Sequence, residues 1–234
     1  MAEIYQAGQK NFIGESSSFS FEDAKIEHSA ELYDLLCQGF LHDEPLNRAS
    51  AIGLQDAEPF FKNYIQKCLN SNLSVVVRDC LTGRLVGCAL NDVGYFETEY
   101  QHESQEGYSE KMATVNLFVE QVKSSMDGHF PTGSKYAELC LLSVHPSYYR
   151  GGLGYKLCLA SLDRAKQCGC QYVITVATSL YTQKICRKLN FSLIQSFDYA
   201  NYRKGDQFVF RCKNNTAEDQ QYHSVQLLYL SLRS

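Results

Sequence analysis

Apolar and polar residues recur along the chain with spacings that indicate alternating strands and helices. Strict alternation over 19–22 predicts a short first strand. Apolar positions at helical spacing then predict a helix over about 26–39 and a second helix within 46–69. Because glycine and proline interrupt helices, we expect the second helix to break near Gly53 and Pro59.

Two later segments, 137–144 and 172–177, are almost continuously apolar, as strands buried on both faces of a sheet are. Each is followed by a helical pattern, which favours an α/β domain. We expect a single domain over 17–234, preceded by a flexible N-terminal segment over 1–16. Further strands are predicted over 73–77, 85–90, 191–199, 207–211 and 225–232, and further helices over 112–126, 155–168 and 179–189.

The composition narrows the class of protein. The 22 Lys and Arg residues against 26 Asp and Glu give the 234-residue chain a net charge of −4, which argues against nucleic acid as a partner. No apolar run approaches the roughly 18 residues of a membrane span, and no basic segment followed by an apolar one indicates a signal peptide. The ten cysteines are irregularly spaced and mostly lie in apolar runs, so we expect reduced thiols in a cytoplasmic protein.

The most informative motif joins the buried segment 137–144 to the helix that follows it. It reads Leu142-Ser143-Val144-His145-Pro146-Ser147-Tyr148-Tyr149-Arg150-Gly151-Gly152-Leu153-Gly154. Glycines let a ligand approach the backbone and a helix N-terminus presents unpaired N–H groups, so the segment suits an anion. It lacks the Lys-Ser/Thr of a Walker loop and the third glycine of a dinucleotide fingerprint. From the glycines alone, a tight strand-to-helix connection explains the turn equally well.

The order of Val, Pro and the last two glycines in this motif resembles the pyrophosphate loop of the GCN5-related N-acetyltransferase superfamily. The resemblance implies that the loop binds acetyl-CoA through Tyr149, Arg150, Gly151, Gly152, Leu153 and Gly154. Tyr149 stands where Gln or Arg is usual, and the neighbouring Arg150 is a candidate for the missing donor. The segment 187–191 resembles the superfamily's closing Lys-x-Gly-Phe turn. Asn190 replaces its glycine there, and Asn tolerates a left-handed backbone.

A second motif, Asp43-Glu44-Pro45-Leu46-Asn47, resembles a segment of the insect-type arylalkylamine (dopamine) N-acetyltransferases. The resemblance covers about 19–230 and is patchy between 92 and 135. It implies that Glu44 is the general base, acting through water. Two catalytic hydroxyls of that group fall on Thr178 and Thr182, and Thr178 is also expected to line the cofactor site. Apart from the resemblance, Glu44 is equally explained as a charge that stabilises a helix N-terminus.

The implied reaction explains why such groups are needed. An ammonium must lose a proton before its nitrogen attacks a thioester, and burial is expected to raise the pKa of Glu44 toward the operating pH. The developing oxyanion needs donors, and the leaving thiolate needs a proton or a hydrogen bond. The candidate oxyanion donors are the backbone N–H groups of Leu142, Ser143 and Val144. The candidates for the thiolate are Tyr181, Cys186 and Thr182, of which the resemblance favours Thr182.

Charge is unevenly distributed between two regions. Between Arg150 and Asn190 there are seven basic residues and one acidic residue, whereas between Glu15 and Glu58 there are ten acidic and two basic residues. We expect an anionic cofactor at the first region and a cationic amine at the second. Taken singly, most of these charges are also explained as solvated helix faces.

The resemblance implies an α/β (α+β) fold with a mixed, mostly antiparallel twisted sheet and helices on both faces. It places an acetyl-CoA cleft between 137–144 and 172–177, which should diverge. The implied function is acetyl transfer to a primary amine in a ternary complex, most simply an arylalkylamine such as dopamine, serotonin, octopamine or tyramine. A polyamine or amino-acid acceptor, or a catalytically idle acyl-CoA-binding module, are the alternatives. No metal is expected, since Cys168 and Cys170 lack a second ligand pair, and a monomer is favoured.

Overall fold

A seven-stranded sheet runs through the centre of the computed structural model, which describes residues 18–97, 99–210 and 224–232. The predicted flexible segment 1–16 lies outside the described residues, and the single domain over 17–234 stays a prediction. The strands are β1 (Phe19–Asp23), β2 (Val75–Asp79), β3 (Leu85–Tyr95), β4 (Lys135–Val144), β5 (Tyr172–Ala177), β6 (Ser192–Asp198), β7 (Arg203–Lys204), β8 (Gln207–Phe208) and β9 (Ser224–Ser231). The helices are α1 (Ser29–Gln38), α2 (Phe40–Asp43), α3 (Pro45–Ala49), α4 (Leu54–Asn70), α5 (Glu110–Ser124), α6 (Leu153–Gln167) and α7 (Leu180–Lys188).

The strand order in the large sheet is β1-β2-β3-β4-β5-β9-β6. Among the strands that the structure describes, every neighbouring pair in this sheet is antiparallel except β4 with β5. Parallel neighbours need a crossover connection, and α6 provides it. The expected mixed, mostly antiparallel sheet is therefore confirmed.

The parallel strands β4 and β5 pair over only three residues each, and the last pair joins Glu138 to Ile174. The hydroxyl of Thr175 donates to the carbonyl oxygen of Leu139 at 3.0 Å and closes the paired region. Beyond this point β4 pairs with β3 and β5 pairs with β9. The predicted divergence of the two strands is confirmed, and the gap between them opens at their C-terminal ends.

Helices cover both faces of the sheet, and the alternation along β2 shows how. Val75 and Val77 pack in one cluster with Leu157 of α6. Val76, which points the other way, lies in the cluster that contains Leu36 of α1 and residues of α4 and α5. The sheet is thus buried between two layers of helices, as the almost continuous apolar strands predicted.

Two predicted features are wrong. Pro59 does not break a helix but lies inside α4, although Gly53 does mark its N-cap. The buried face of α4, which includes Phe60 and Phe61, packs into the main core and outweighs the hydrogen bond lost at Pro59. The predicted strand 207–211 does not join the large sheet. Its first two residues pair instead with β7, because Gly205, at a φ of +62°, folds the chain back locally.

Two observations on the described residues concern membrane spans and cysteines. None of the helices described is both long and apolar enough to cross a membrane. All nine cysteines that the structure describes are free thiols.

Candidate active site

The glycine-rich loop after β4 forms a site suited to an anion. Arg150 and Gly152 both have a positive φ, +65° and +73°, and Gly152 is the N-cap of α6. No side chain caps this helix, and its first turn contains no acidic residue. The N–H groups of the first turn therefore remain available, at the positive end of a 15-residue helix. This geometry is what binding a phosphate by the backbone requires.

The end of β4 also presents backbone donors to the gap between the strands. The N–H of His145 donates to the carbonyl of Val86 on β3, at 2.8 Å. Because N–H directions alternate along an antiparallel strand, the N–H of Ser143 faces β3 as well. The N–H groups of Leu142 and Val144 therefore point toward the β5 side. Of the three donors predicted for an oxyanion, these two have the orientation that the role needs.

Glu44 lies between α2 and α3, in an extended conformation with φ −70° and ψ +122°, which the following proline favours. Its Oε2 atom accepts a hydrogen bond from the backbone N–H of Asn47 at 2.5 Å, so Glu44 is the N-cap of α3. The residue is only 7% exposed. Glu44 therefore does cap a helix N-terminus, as the simpler explanation from the sequence proposed, but only its Oε2 atom takes part.

The free oxygen, Oε1, is buried and has no hydrogen-bond partner among the described residues. Burial is the largest influence on Glu44 and raises its pKa. The N–H groups of Asn47 and Leu46 and the hydroxyl of Thr178 act in the opposite direction but are weaker. Thr178 approaches the carboxyl group closely enough to lower its pKa, without a hydrogen bond of normal geometry to Oε1. The structure therefore brings two of the three predicted catalytic residues together.

The third predicted catalytic residue, Thr182, lies in the first turn of α7. Its hydroxyl is 2.9 Å from that of Ser179, and its N–H donates to the same oxygen at 3.1 Å. Tyr181 is 71% exposed and points away from the sheet. Cys186 is 1% exposed within an apolar cluster, and burial raises its pKa to about 12. Because the Cys186 thiol is enclosed in that cluster and Tyr181 is largely exposed, the geometry favours Thr182 as the hydrogen-bond donor to the thiolate.

Tyr149, predicted to contact the cofactor, also contacts another part of the protein. Its hydroxyl donates a hydrogen bond to the carboxylate of Asp43 at the end of α2. Arg150, the candidate for the missing phosphate donor, occupies a left-handed conformation that is uncommon for arginine. Asn190 has a φ of +61°, so the expected left-handed turn at this position is confirmed.

Three residues that organise the candidate site have no role predicted from the sequence: Asp43, Asn47 and Ser179. Ser179 is the N-cap of α7, and its signal was a serine immediately before a helical pattern. The sequence signal for Asn47 was its position three residues after Glu44, a spacing at which helical residues are neighbours. The partnership of Asp43 with Tyr149 joins positions 106 apart, and no local pattern indicates it.

A profile of the acetyltransferase (GNAT) family matches residues 30–191, more than half of the chain. The chain belongs to the acetyltransferase (GNAT) family. The GNAT fold uses acetyl-CoA. The residues present fit this molecule, since unpaired N–H groups at α6 suit its phosphates and the gap between β4 and β5 suits an extended arm. Within the described residues, no group of His, Cys, Asp or Glu could hold a metal ion.

Several solved structures resemble this GNAT protein. Arylalkylamine N-acetyltransferase 2 from Aedes aegypti has a TM-score of 0.80 and 21% identity, over 93% of this chain and 100% of that chain. Drosophila melanogaster polyamine N-acetyltransferase, which forms N-acetylagmatine, has a TM-score of 0.74 and 18% identity, over 92% and 100%. The NatC complex bound to a Gag peptide and CoA has a TM-score of 0.51 and 10% identity, over 93% and 100%. Identities this low establish the fold alone. No curated protein matches the chain significantly.

Proposed function

We propose that this GNAT protein transfers an acetyl group from acetyl-CoA to a primary amine, with an arylalkylamine as the first substrate class. The observation that carries the proposal is the carboxylate of Glu44. It is buried, has one unpartnered oxygen and a raised pKa, and lies beside Thr178 just beyond the end of β5. Such a group is suited to accept a proton from a substrate amine.

The roles of the chain's residues follow from their positions. When bound, acetyl-CoA supplies the thioester that the amine attacks directly in a ternary complex. Glu44 takes the proton that the ammonium must lose. The N–H groups of Leu142 and Val144 stabilise the negative charge that develops on the carbonyl oxygen. The hydroxyl of Thr182 donates to the departing sulfur, while Gly151, Gly152, Leu153 and Gly154 hold the phosphates at α6.

An aromatic acceptor is supported by the side chains around the Glu44 segment. Phe40, one turn before Glu44 and the acceptor of its N–H, contacts Phe61 edge-to-face with ring centroids 6.1 Å apart. Phe61 in turn contacts Phe60, with ring centroids 6.1 Å apart, and Phe60 contacts Tyr108, with ring centroids 5.7 Å apart. Phe40 and Tyr108 are only partly buried, so this row offers ring faces to an aromatic ligand. The similarity to an arylalkylamine N-acetyltransferase in fold is consistent with the same class.

A polyamine or agmatine acceptor is the second candidate, and a cavity of about 150 Å³ favours it. Glu138 lines this cavity and pairs with Ile174 of β5. Ile174 lies four residues before Thr178, on the same face of the sheet. At the rise of a β-strand, four residues span about 13 Å. A long polycation has the length to reach from Glu44 to this cavity. In the described part of the chain, the charged residues that line the cavity are mostly acidic, with Lys67 as the one lysine among them. The acidic residues are Asp92, Glu97, Glu99, Glu103, Asp127 and Glu138.

A thiol-release assay with purified protein, acetyl-CoA and a panel of amines separates these possibilities. The panel contains dopamine, serotonin, octopamine, tyramine, agmatine, spermidine and free amino acids, with Glu44→Gln as the inactive control. We expect release above hydrolysis with the arylalkylamines. Higher kcat/KM for agmatine or spermidine favours the second candidate. No release with any amine, despite a thermal shift with acetyl-CoA, indicates an idle binding module.

A cytoplasmic location is part of the same proposal. The nine free thiols among the described residues support a reducing compartment. The monomeric state stays a prediction.

A further inference from the structure

Three buried polar atoms along α3 lack partners in the described part of the chain. They are Oε1 of Glu44, Nδ2 of Asn47 and Oγ of Ser50. Glu44 is 7% and Asn47 only 2% exposed. Buried polar atoms in folded proteins are nearly always hydrogen-bonded, to protein or to ordered water, because an unpaired one loses its hydration without compensation. Three of them on one short segment therefore indicate a shared polar partner.

The spacing of these residues makes a shared partner geometrically reasonable. They lie three positions apart in sequence, from the N-cap of α3 through its interior to its C-cap. Residues three apart on a helix are surface neighbours, with Cβ atoms about 5–6 Å apart. The bond from the N–H of Asn47 to Oε2 of Glu44 already shows that these two residues adjoin. Neighbouring side chains of this kind can share one water molecule, which typically makes about three hydrogen bonds when buried.

The unpartnered atoms of Asn47 and Glu44 are chemically complementary. The amide Nδ2 of Asn47 only donates, and a carboxylate oxygen of Glu44 only accepts. A water between them accepts from Asn47 and donates to Glu44, so its lone pairs are turned away from the carboxylate. We infer that Asn47 is a positioning residue, which orients the water that carries the substrate's proton to Glu44. This inference rests on the proposed function and assigns Asn47 a role that Glu44 cannot fulfil alone.

The proton transfer balances with these groups. The ammonium N–H bond breaks as its proton moves to the water oxygen, and one of the water's own protons moves to Oε1 of Glu44. The water is regenerated, the amine nitrogen gains a free electron pair, and Glu44 becomes neutral. Asn47 exchanges no proton and holds the oxygen in place throughout.

A titration that needs no turnover tests the inference directly. Difference infrared spectroscopy of the full chain reports the ionisation of Glu44, and Glu44→Gln identifies its carboxyl band. In Asn47→Leu, which keeps the number and branching of the side-chain heavy atoms but removes the donor, we expect the pKa of Glu44 to rise by about one unit. The influences on this group are burial, the N–H groups of Asn47 and Leu46 and the hydroxyl of Thr178, none of which is a charged side chain. Asn47→Ser retains a donor and should restore most of the shift.

A matched control separates positioning from a general effect of losing a buried asparagine. Asn116 on α5 is 3% exposed, and its amide donates to Gln105 at 2.9 Å. Asn116→Leu should leave the pKa of Glu44 unchanged. An equal shift in both Leu variants, or no shift in a folded Asn47→Leu protein, would overturn the inference. If Asn47→Leu does not fold, Asn47→Ala and Asn47→Ser are titrated instead, with the larger rise expected in Asn47→Ala.

Kinetics provides a second readout. We expect Asn47→Leu to lower kcat about tenfold and to move its acidic limb to higher pH, with the KM for acetyl-CoA unchanged. A fall in rate at all pH values, without movement of the limb, would assign Asn47 a purely structural role. Absence of acetylation by the wild type would refute the proposed function instead, and the infrared titration would still decide the role of Asn47.

Discussion

The hydroxyl of Tyr149 donates a hydrogen bond to the carboxylate of Asp43, across 106 residues of sequence. Tyr149 belongs to the proposed phosphate-binding loop, and Asp43 directly precedes the proposed base, Glu44. The bond therefore joins the loop that would hold the cofactor to the segment that would take the substrate's proton. The Tyr149 side chain thereby fixes the loop against α2, and its contact with the cofactor stays a prediction.

Tyr149→Phe should raise the KM for acetyl-CoA about three- to fivefold and leave kcat within twofold. Without the bond to Asp43, the loop must be ordered when the cofactor binds, and one hydrogen bond contributes about 1 kcal/mol. Steady-state kinetics with the best amine of the panel measures both constants. The neighbouring Tyr148 provides a matched control, because its hydroxyl donates to Asp79, at the end of β2, at 2.8 Å. Tyr148→Phe should leave KM unchanged, and an equal rise in both variants would contradict the assignment.

Glu44→Gln should lower kcat about 10²- to 10⁴-fold, while the Kd for acetyl-CoA, measured by calorimetry, stays unchanged. The general base acts only when ionised, and burial raises the pKa of Glu44. In the wild type the rate should therefore rise with pH through a value above that of an ordinary glutamate. In the variant this limb should disappear. A wild-type rate that is already maximal at pH 5 would show that Glu44 is not the titrating base.

The same substitution should stabilise the protein at neutral and alkaline pH. Because the folded-state pKa of Glu44 is raised, its contribution to stability is fully present below the pKa of the unfolded chain. That contribution is lost as pH rises through the folded-state value, since a buried charge must then form. Glutamine does not titrate, so the Tm of Glu44→Gln should exceed that of the wild type at pH 8. The difference should shrink toward pH 4, and a difference independent of pH would contradict the raised pKa.

Gly152→Asp should weaken acetyl-CoA binding at least tenfold, because a carboxylate at the N-cap of α6 occupies the anion site with its own charge. A Cβ built at Gly152 meets no atom within 4 Å, but its φ of +73° strains any other residue. Gly152→Asn carries the same strain without the charge and is the matched control. Calorimetric affinities of both variants, with folding checked by circular dichroism, separate the two effects. Equal losses in both would mean that strain, not phosphate repulsion, is responsible.

Much of the fold was predictable because local patterns and long-range packing agree. The strand 172–177 and the end of α1 at Gly39 matched the structure, since an apolar run and a glycine stop each carry their own signal. Pro59 was misleading because its helix is held by a large buried face. The segment 207–211 had the composition of a strand, but its pairing partner was decided by the turn at Gly205.

Some features of the candidate site were likewise predictable from the sequence, and others were not. Glu44, Thr178 and the glycine loop could be nominated from the sequence because they lie in short segments that resemble family motifs. The bond between Tyr149 and Asp43 could not be predicted, because it depends on how the end of α2 packs beside β4. Whether Cys186 was available to the substrate was also unreadable, since α7 turns it into an apolar cluster.

The remaining prediction concerns the group that assists the departing thiolate. Thr182→Val keeps the shape of the side chain and removes only the hydroxyl, so it should lower kcat about tenfold. Thr182→Ser keeps the hydroxyl and should retain most of the rate. Single-turnover rates at saturating acetyl-CoA, with folding checked by circular dichroism, measure the effect of both.

Substitutions of Tyr181, of Cys186 and of Ser179, the N-cap of α7, should have different effects. Tyr181→Phe should change little because its ring is 71% exposed, and Cys186→Ala should reduce stability more than rate because the thiol is buried. Ser179→Ala removes the N-cap of α7 and a hydrogen-bond partner of Thr182, so it should cost about 1 kcal/mol of stability and part of the rate. If Tyr181→Phe were the most damaging of these variants, α7 would have to rotate when the cofactor binds. The assignment of Thr182, which depends on the present orientation of that helix, would then be wrong.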